Sequence, residues 1–438
     1  MRLDLIGTLA LAGLALLVGY GIRRAVPPLG RYNVPAPILG GLLVALAVLI
    51  ARDQGHVLFE FDTTLQRPLM VAFFTTIGFA ASLRLLRTGG PLVLRFFALA
   101  ALFAVAQNLL GIGLALAFGL DPLFGVLAGS VTLTGGPATG LAFAPLFEAA
   151  GVTGAASVAV AVAMGGIVLG GLFGGPIATA LMSRHGLAAA NGANAGTEAP
   201  GAAAPRGATA GSSAGASASA SASTPRAARE SRRQRRERAR DAVQSSADED
   251  TPDAQRIVRN VCAILVAMWL GSLLGEAFVR AGITLPGYIG AMLVAAALRN
   301  LDDHTGWIGL SPRFVGEFGA VTLSLFLAMA IITLKLWELA GLALPLVVML
   351  VAQVLLAAAF AWLFVFRAMG RDYESAVMTG GFVGFMLGTA ANAMAVMRAL
   401  VERYGPAPTA FLVAPMVGAF FIDFANALLI TAFLNVLD

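Results

Sequence analysis

The most informative stretch of the sequence for the fold is GLDPLFGVLAGSVTLTGGPATG, at residues 119–140. The stretch is apolar over much of its length, yet hydroxyl side chains, glycines and Pro137 crowd its second half. Glycine lets backbone approach a ligand closely and proline interrupts a helix, so the pattern predicts a broken helix. Broken backbone at membrane depth is tolerated only where it is buried or lines a cavity. The alternative is that these small residues only pack one helix against another.

The composition indicates that much of the chain lies in a membrane. Of 438 residues, 58% are hydrophobic and 12% are charged, and the mean hydropathy is +0.83. A soluble protein has about 45–50% apolar and about 25% charged residues, so lipid must solvate part of this surface. Long apolar spans satisfy their backbone hydrogen bonds as helices, which predicts an all-α polytopic membrane protein. No nucleotide loop, nucleophile motif or metal-ligand spacing indicates an enzyme.

Apolar segments of spanning length fall into two sets of five, separated by a hydrophilic stretch. They lie at about 4–21, 35–51, 68–86, 91–118, 153–182, 257–279, 283–298, 317–336, 341–366 and 407–435. We therefore expect a first five-helix repeat at 1–183, a linker at 184–255 and a second five-helix repeat at 256–438. Two Gly-rich stretches, 121–147 and 372–398, do not fit this count, and each is predicted to be a re-entrant hairpin.

The two sets of five resemble each other. Gly40 recurs as Gly290 and Asp121 as Asp372, at sequence offsets that differ by one residue. An odd number of spans in each repeat would turn the second repeat upside down in the membrane. Inverted repeats are a recurring transporter architecture, in which the site lies at the repeat interface near the midplane.

Basic residues indicate the orientation. If the first terminus lies outside, the inside loops carry most of the arginines of the two halves. These are Arg23, Arg24, Arg31, Arg84, Arg87, Arg95, Arg299, Arg313, Arg367, Arg371, Arg398 and Arg403. Both termini are therefore expected outside, with the Ala/Ser/Arg-rich linker disordered in the cytoplasm. The SRRQRRERAR run at 231–240 has a composition that can contact RNA or anionic lipid, but we favour a solvated tether that binds no nucleic acid.

The interrupted stretches provide the substrate-binding candidates. Freed backbone amides and threonine hydroxyls can bind a substrate carboxylate or a bare cation. Paired interrupted segments are the best sequence indicator of a transport site. The candidates are Ser130, Thr132, Thr134, Gly135, Gly136, Thr139, Gly388, Thr389 and Asn392.

The last predicted span provides the cation-binding candidates. Asp423 is a carboxylate placed well within the hydrocarbon, where an acid is a functional hypothesis by default because its burial is costly. Asn426 lies three residues later on the same helix face. Both can offer oxygen atoms to Na⁺, or Asp423 can bind a substrate ammonium group. The alternative is a structural hydrogen-bond pair. Gln107 and Asn108 are further cation candidates, with helix–helix contacts as their alternative. No histidine falls within a predicted span, and no cofactor is expected beyond transported Na⁺.

These segments resemble those of bacterial sodium/glutamate symporters. The matching stretches are PLMVAFFTTIGF (68–79), QNLLGIG (107–113), GLDPLFGVLAGSVTLTGG (119–136), LSLFLAMA (323–330), LKLWELA (334–340) and VAPMVGAFFIDFANAL (413–428). The resemblance covers nearly all of both halves and excludes the linker. It implies a homodimer of inverted five-helix halves that takes up glutamate with Na⁺. It also implies elevator-type transport, in which the hairpin-bearing part moves across the membrane against a fixed scaffold.

The hairpins depart from the family pattern. Where the family typically reads GGHGTG, this chain has GGPATG at 135–140, and where the family reads close to GHCGFGLGATPTA, it has GFVGFMLGTAANA at 381–393. From the resemblance we expect a secondary active Na⁺ symporter in the bacterial inner membrane. Because the hairpins differ, we expect its substrate to be L-glutamate or a related small carboxylate. The alternatives are a proton-coupled carrier, a passive carrier or a channel for a different small organic anion. A further alternative is a membrane anchor or sensor whose working part is the Arg-rich linker.

Overall fold

A computed structural model describes residues 2–56, 58–187, 253–280 and 285–437, and these are almost entirely helical. The first half contains α1 (Leu5–Ala25), α2 (Pro27–Arg31), α3 (Ala36–Asp53), α4 (Gln66–Ala80), α5 (Leu83–Ala117), α6 (Pro122–Val126), α7 (Gly136–Ala149) and α8 (Ala155–His185). The second contains α9 (Asp253–Arg280), α10 (Gly287–Thr305), α11 (Pro312–Ile332), α12 (Ala343–Phe360), α13 (Phe366–Met369), α14 (Tyr373–Met386), α15 (Ala390–Tyr404), α16 (Pro408–Met416) and α17 (Ile422–Leu437). The strands β1 (Arg2–Leu3) and β2 (Glu60–Phe61) pair in parallel.

Wider π-helical turns interrupt three of these helices. They follow α6 at Leu127–Val131, join α12 to α13 at Ala361–Val365, and join α16 to α17 at Val417–Phe421. A short 3₁₀ turn at Leu336–Leu339 precedes α12. Single π turns inside helices occur frequently at functional sites.

Seven of the described helical segments are long and apolar enough to cross a membrane. They are α1, α3, α8, α11, and the segments Gly90–Ala117, Ala254–Arg280 and Ala343–Met369. This confirms an all-α polytopic membrane protein. The count of ten spans stays a prediction, because α4 has only 15 residues, α10 ends in a charged segment, and α16 and α17 are separated by a π turn.

The third predicted span ends earlier than its apolar run indicates. The apolar run predicts a span at 68–86, but α4 ends at Ala80 and α5 begins at Leu83. Asn300 of α10 stabilises the break, since its amide donates to Ala81 O at 2.8 Å and its oxygen accepts from Leu83 N at 2.8 Å. The helix break therefore depends on a residue from the other half of the chain.

The helices divide into two packing groups. The six-helix group consists of α1, α3, α4, α9, α10 and α11, which pack mainly on one another. Where its helices cross most closely, a glycine lies at the contact. A methyl group at Gly40 would lie 1.6 Å from Ala15 O, and one at Gly290 would lie 2.2 Å from Gly271 O. The two glycines that match in sequence therefore form the same kind of crossing, between α1 and α3 and between α9 and α10.

The hairpin group consists of α5–α8 and α12–α17. Its two helix–turn–helix units lie where the sequence predicts interruption, with turns at 132–135 and 387–389. Each unit begins at an aspartate cap: Asp121 Oδ1 accepts from Leu123 N at 2.7 Å, and Asp372 Oδ1 accepts from Ser375 N at 2.7 Å. The aspartates that match between the halves thus occupy equivalent positions.

The ends of the predicted linker belong to helices. The helix α8 continues to His185, where Gly186 has a left-handed conformation, and α9 begins at Asp253. The greater part of the predicted linker, 188–252, lies outside the described residues.

Candidate functional site

A cavity of about 410 Å³ lies between the six-helix group and the hairpin group. Its volume is within the range of about 300–1,000 Å³ that is usual for small-molecule sites. The six-helix group contributes Tyr20, Arg23, Pro35, Ala36, Pro37, Phe73, Ile77, Leu323, Ser324 and Leu327. The hairpin group contributes Thr134, Gly135, Gly136, Pro137, Ala138, Phe385, Gly388, Thr389, Ala390, Ala391, Gly418 and Asp423.

The tips of the two helix–turn–helix units meet at this cavity. A methyl group at Gly136 would lie 3.6 Å from Thr389 Cγ2, and Gly136 has a φ of 69°, which favours glycine. Gly136 begins α7, and Thr389 caps the start of α15. Two helix N-termini therefore face one cavity, and their free amides and dipoles favour an anion there. Pro137 suits the first turn of α7, where its missing N–H has no intrahelical partner.

Gln107 of α5 joins the two tips. Its Oε1 accepts from the Thr134 hydroxyl at 2.5 Å, and its Nε2 donates to Met386 O at 3.0 Å. Gln353 of α12 donates in turn to Gln107 O at 2.8 Å. Both side-chain polar atoms of Gln107 are thus occupied, which favours a positioning role over direct cation binding.

Asn108 and Asn426 hold the π turn beneath the first tip. Asn108 Oδ1 accepts from Ser130 N at 2.8 Å, and Asn426 Nδ2 donates to Ser130 O at 2.9 Å. Gly129 allows this approach, because a methyl group there would lie 2.8 Å from Asn108 Oδ1. The backbone of Ser130 is therefore fixed by amides from two different helices.

Several buried polar atoms around the tips have no hydrogen-bond partner among the described residues. They are Asn108 Nδ2, Ser130 Oγ, Gln353 Oε1, Asn392 Oδ1 and Asn426 Oδ1. An unsatisfied buried polar group costs about 1–3 kcal/mol, so such atoms indicate an additional partner. All of these residues except Asn392 belong to the hydrogen-bonded network around Gln107 and Ser130. In all five except Asn108, the unpartnered atom is an oxygen. Unpartnered oxygen atoms are suitable ligands for a cation.

Six of the thirteen predicted site residues line the cavity, namely Thr134, Gly135, Gly136, Gly388, Thr389 and Asp423. The other seven lie behind it: Ser130, Thr132, Thr139, Asn392, Gln107, Asn108 and Asn426. Thr132 donates to Leu127 O at 2.8 Å, and Asn392 donates to Ile167 O at 2.7 Å. The structure therefore separates residues that face the cavity from residues that support its wall.

The cavity wall that the six-helix group provides was not predictable from the sequence. Arg23 and Asp423 are the charged residues among those described that line the cavity. Arg23 lies in a basic pair at the end of α1, a pattern typical of a membrane-interface anchor, so its position in the cavity had no sequence signal.

A multi-pass helical protein with two opposed hairpin tips, a lone carboxylate and a small-molecule cavity has the features of a secondary carrier. The family model described as sodium/glutamate symporter matches residues 1–208 and 187–406. A sodium/glutamate symporter of Escherichia coli (strain K12) is 38% identical over 440 residues, 99% of this chain and 98% of that protein. One of Haemophilus influenzae is 35% identical over 425 residues, 97% and 95% of the two chains. The chain belongs to the sodium/glutamate symporter family and is a membrane transport protein, not an enzyme.

Proposed function

We propose that this protein takes up L-glutamate, or a related small carboxylate, by Na⁺ symport across the bacterial cytoplasmic membrane. The observation that carries the proposal is the meeting of two helix N-termini and Asp423 at one cavity. The similarity to sodium/glutamate symporters over nearly the whole chain supports the choice of ion and substrate.

The substrate's α-carboxylate binds at the two tips. The first residues of α7 and α15 offer backbone amides there, and the hydroxyl of Thr389 lies beside them. Gln107 holds the tips together through Thr134 and Met386, so carboxylate binding does not have to order two independent loops.

Na⁺ binds next to this site, with Asp423 as its charged ligand. Asp423 faces the cavity and Asn426, one turn later, has an unpartnered oxygen atom in the buried network. Ser130 Oγ is a second neutral oxygen at the same network. Gln107 and Asn108 position the ligands. Interrupted helices with free carbonyl groups are a recurring Na⁺ site in transporters.

Transport follows an elevator mechanism, with the six-helix group as the fixed scaffold and the hairpin group as the moving part. The cavity between the two groups supports this division. The two halves are inverted repeats, supported by the matched crossings at Gly40 and Gly290 and the matched caps at Asp121 and Asp372. The protein is a homodimer, which cross-linking in the membrane followed by denaturing electrophoresis tests.

Both termini lie outside and the linker lies in the cytoplasm. In a Cys262→Ser background, single cysteines at the exposed positions Arg280 and Arg313 report this topology. A membrane-impermeant thiol reagent applied to intact cells should label position 280 and leave position 313 unlabelled until the cells are opened. The reverse labelling pattern would overturn the orientation.

Uptake of labelled L-glutamate into proteoliposomes tests the function. With an inward Na⁺ gradient we expect accumulation above equilibrium, which disappears when K⁺ replaces Na⁺. Accumulation driven by a proton gradient alone would establish H⁺ coupling, and equilibration without accumulation would establish a passive carrier. A folded protein without any glutamate uptake would overturn the proposed substrate.

A further inference from the structure

Arg23 is a cation in the cavity wall whose role the proposed function leaves open. It lies near the end of α1, is half-buried, and lines the cavity together with Asp423. Within the described ranges its guanidinium has no ion pair and no side-chain hydrogen bond. Its neighbour Arg24 is exposed and does not line the cavity.

An unpaired guanidinium in a half-buried wall suits an anionic ligand. Arginine remains charged at all physiological pH values, and its planar fork matches a carboxylate in a bidentate geometry. Hydrogen bonds between ionised partners are stronger than neutral ones, and partial exclusion of water strengthens them further. The wall of the cavity opposite the hairpin tips therefore has a carboxylate-binding group of its own.

The cavity thus has separate positions for two carboxylates. The tips offer two helix N-termini from the hairpin group, and Arg23 offers a guanidinium from the six-helix group. The rest of the cavity wall from the six-helix group is mostly apolar and includes Phe73, Ile77 and Leu327. A substrate with one carboxylate would leave one of these positions unpaired.

We infer that Arg23 binds the side-chain carboxylate of the substrate and makes the carrier selective for dicarboxylic over neutral amino acids. This inference rests on the proposed function, because it assigns the α-carboxylate to the tips. Since Arg23 belongs to the six-helix group, the bound substrate connects the two groups in the conformation described. Arg23 is therefore a specificity-determining residue.

Competition and binding measurements on the purified full-length protein test this inference. With saturating Na⁺, the affinities for L-glutamate and L-glutamine are measured for the wild-type protein and for Arg23→Gln, with Arg24→Gln as the matched control. We expect Arg23→Gln to weaken glutamate binding by about 10- to 100-fold, the range for a lost charge-assisted hydrogen bond, and to leave glutamine binding within about two-fold. Arg24→Gln should bind both ligands like the wild type.

A wild-type ratio of glutamate to glutamine affinity in Arg23→Gln would overturn the inference, and so would an equal loss of both ligands in a protein that melts normally. If Arg23→Gln does not fold, Arg23→Lys keeps the charge without the fork and should show reduced selectivity. Wild-type protein that accumulates a neutral amino acid in place of glutamate would overturn the proposed substrate as well. Wild-type glutamate accumulation with unchanged selectivity in the variant would overturn only the role of Arg23.

Discussion

The helices α8 and α17 contact the hairpin units in chemically different ways. In α8, a methyl group at Gly166 would lie 2.2 Å from Leu387 O, and one at Gly170 would lie 3.1 Å from Leu387 Cβ. In α17, the amide of Asn426 donates to Ser130 O of the first unit. The helix α8 thus supports the second unit through close backbone approach, while α17 supports the first unit through polar side chains.

The sequence offsets make this difference informative. Gly171 and Gly174 of α8 correspond to Asp423 and Asn426 of α17 under the repeat that we propose. A methyl group at Gly174 would lie 2.7 Å from Gly380 O, so this side has no room for a larger residue. Under this proposed repeat, equivalent positions serve helix packing in the first half and present polar side chains in the second. One cation site on the α17 side is therefore expected.

The largest effect is expected at the carboxylate of α17. Asp423→Asn removes the proposed charged Na⁺ ligand while nearly keeping the side-chain volume, so gradient-driven uptake in proteoliposomes should fall to background. The exposed Glu276→Gln is the control and should transport normally. Na⁺-dependent accumulation at the wild-type rate in Asp423→Asn would refute the assignment of the cation site.

The glycine packing of α8 can be tested with a matched pair of glycine-to-alanine variants. Gly166→Ala inserts a methyl group into the backbone of the second hairpin unit, and we expect destabilisation near the top of the range of about 1–3 kcal/mol for overpacking. Gly171→Ala meets only Tyr32 Cδ1 at 3.6 Å and should be tolerated. The apparent melting temperature of each purified variant measures the difference, and equal values for both would contradict this account.

Asn426→Leu should have a more moderate effect, on both the stability of the protein and its Na⁺ affinity. The variant removes one of the two hydrogen bonds that Ser130 O accepts, the other being from Gly135 N at 3.0 Å, at a cost of about 1.5 kcal/mol. It also removes one proposed Na⁺ ligand. We expect a lower melting temperature together with a higher Na⁺ concentration for half-maximal uptake. A lower melting temperature with unchanged Na⁺ dependence would assign Asn426 to structure alone.

The smallest effect is expected at the cap of the second tip. Thr389→Ala removes the side-chain acceptor for Asn392 N at the start of α15, which costs about 1 kcal/mol. The exposed Ser272→Ala, whose hydroxyl bonds only within its own helix, is the control. Melting temperatures of the two variants measure the difference, and a cap that contributes nothing would leave them equal.

The sequence predicts those features that depend on local composition. The long apolar segments and the two Gly-rich interruptions lie close to their predicted positions, because hydrophobic length and helix-breaking residues act locally. The aspartate caps of the two hairpin units are also local features, because each aspartate accepts a hydrogen bond from a residue two or three positions later.

Features that depend on distant residues were not predictable from the sequence. The end of α4 at Ala80 requires Asn300, and the role of Gln107 requires acceptors and donors in both hairpin units. Arg23 is placed in the cavity only by the packing of α1 beside the hairpin tips. A basic pair at a span end has the same appearance whether it anchors the helix or faces a ligand.

The glycine crossings of the six-helix group also affect how mutational scanning data on this protein should be interpreted. Gly40 and Gly290 have no space for a side chain, so a library selected for growth on the substrate would show both as intolerant to every replacement. Gly136 at the first tip would give the same profile, because its positive φ strains any other residue. Abundance at the membrane distinguishes the two kinds of glycine: variants at the crossings should disappear from the membrane, whereas variants at the tip should remain there without activity.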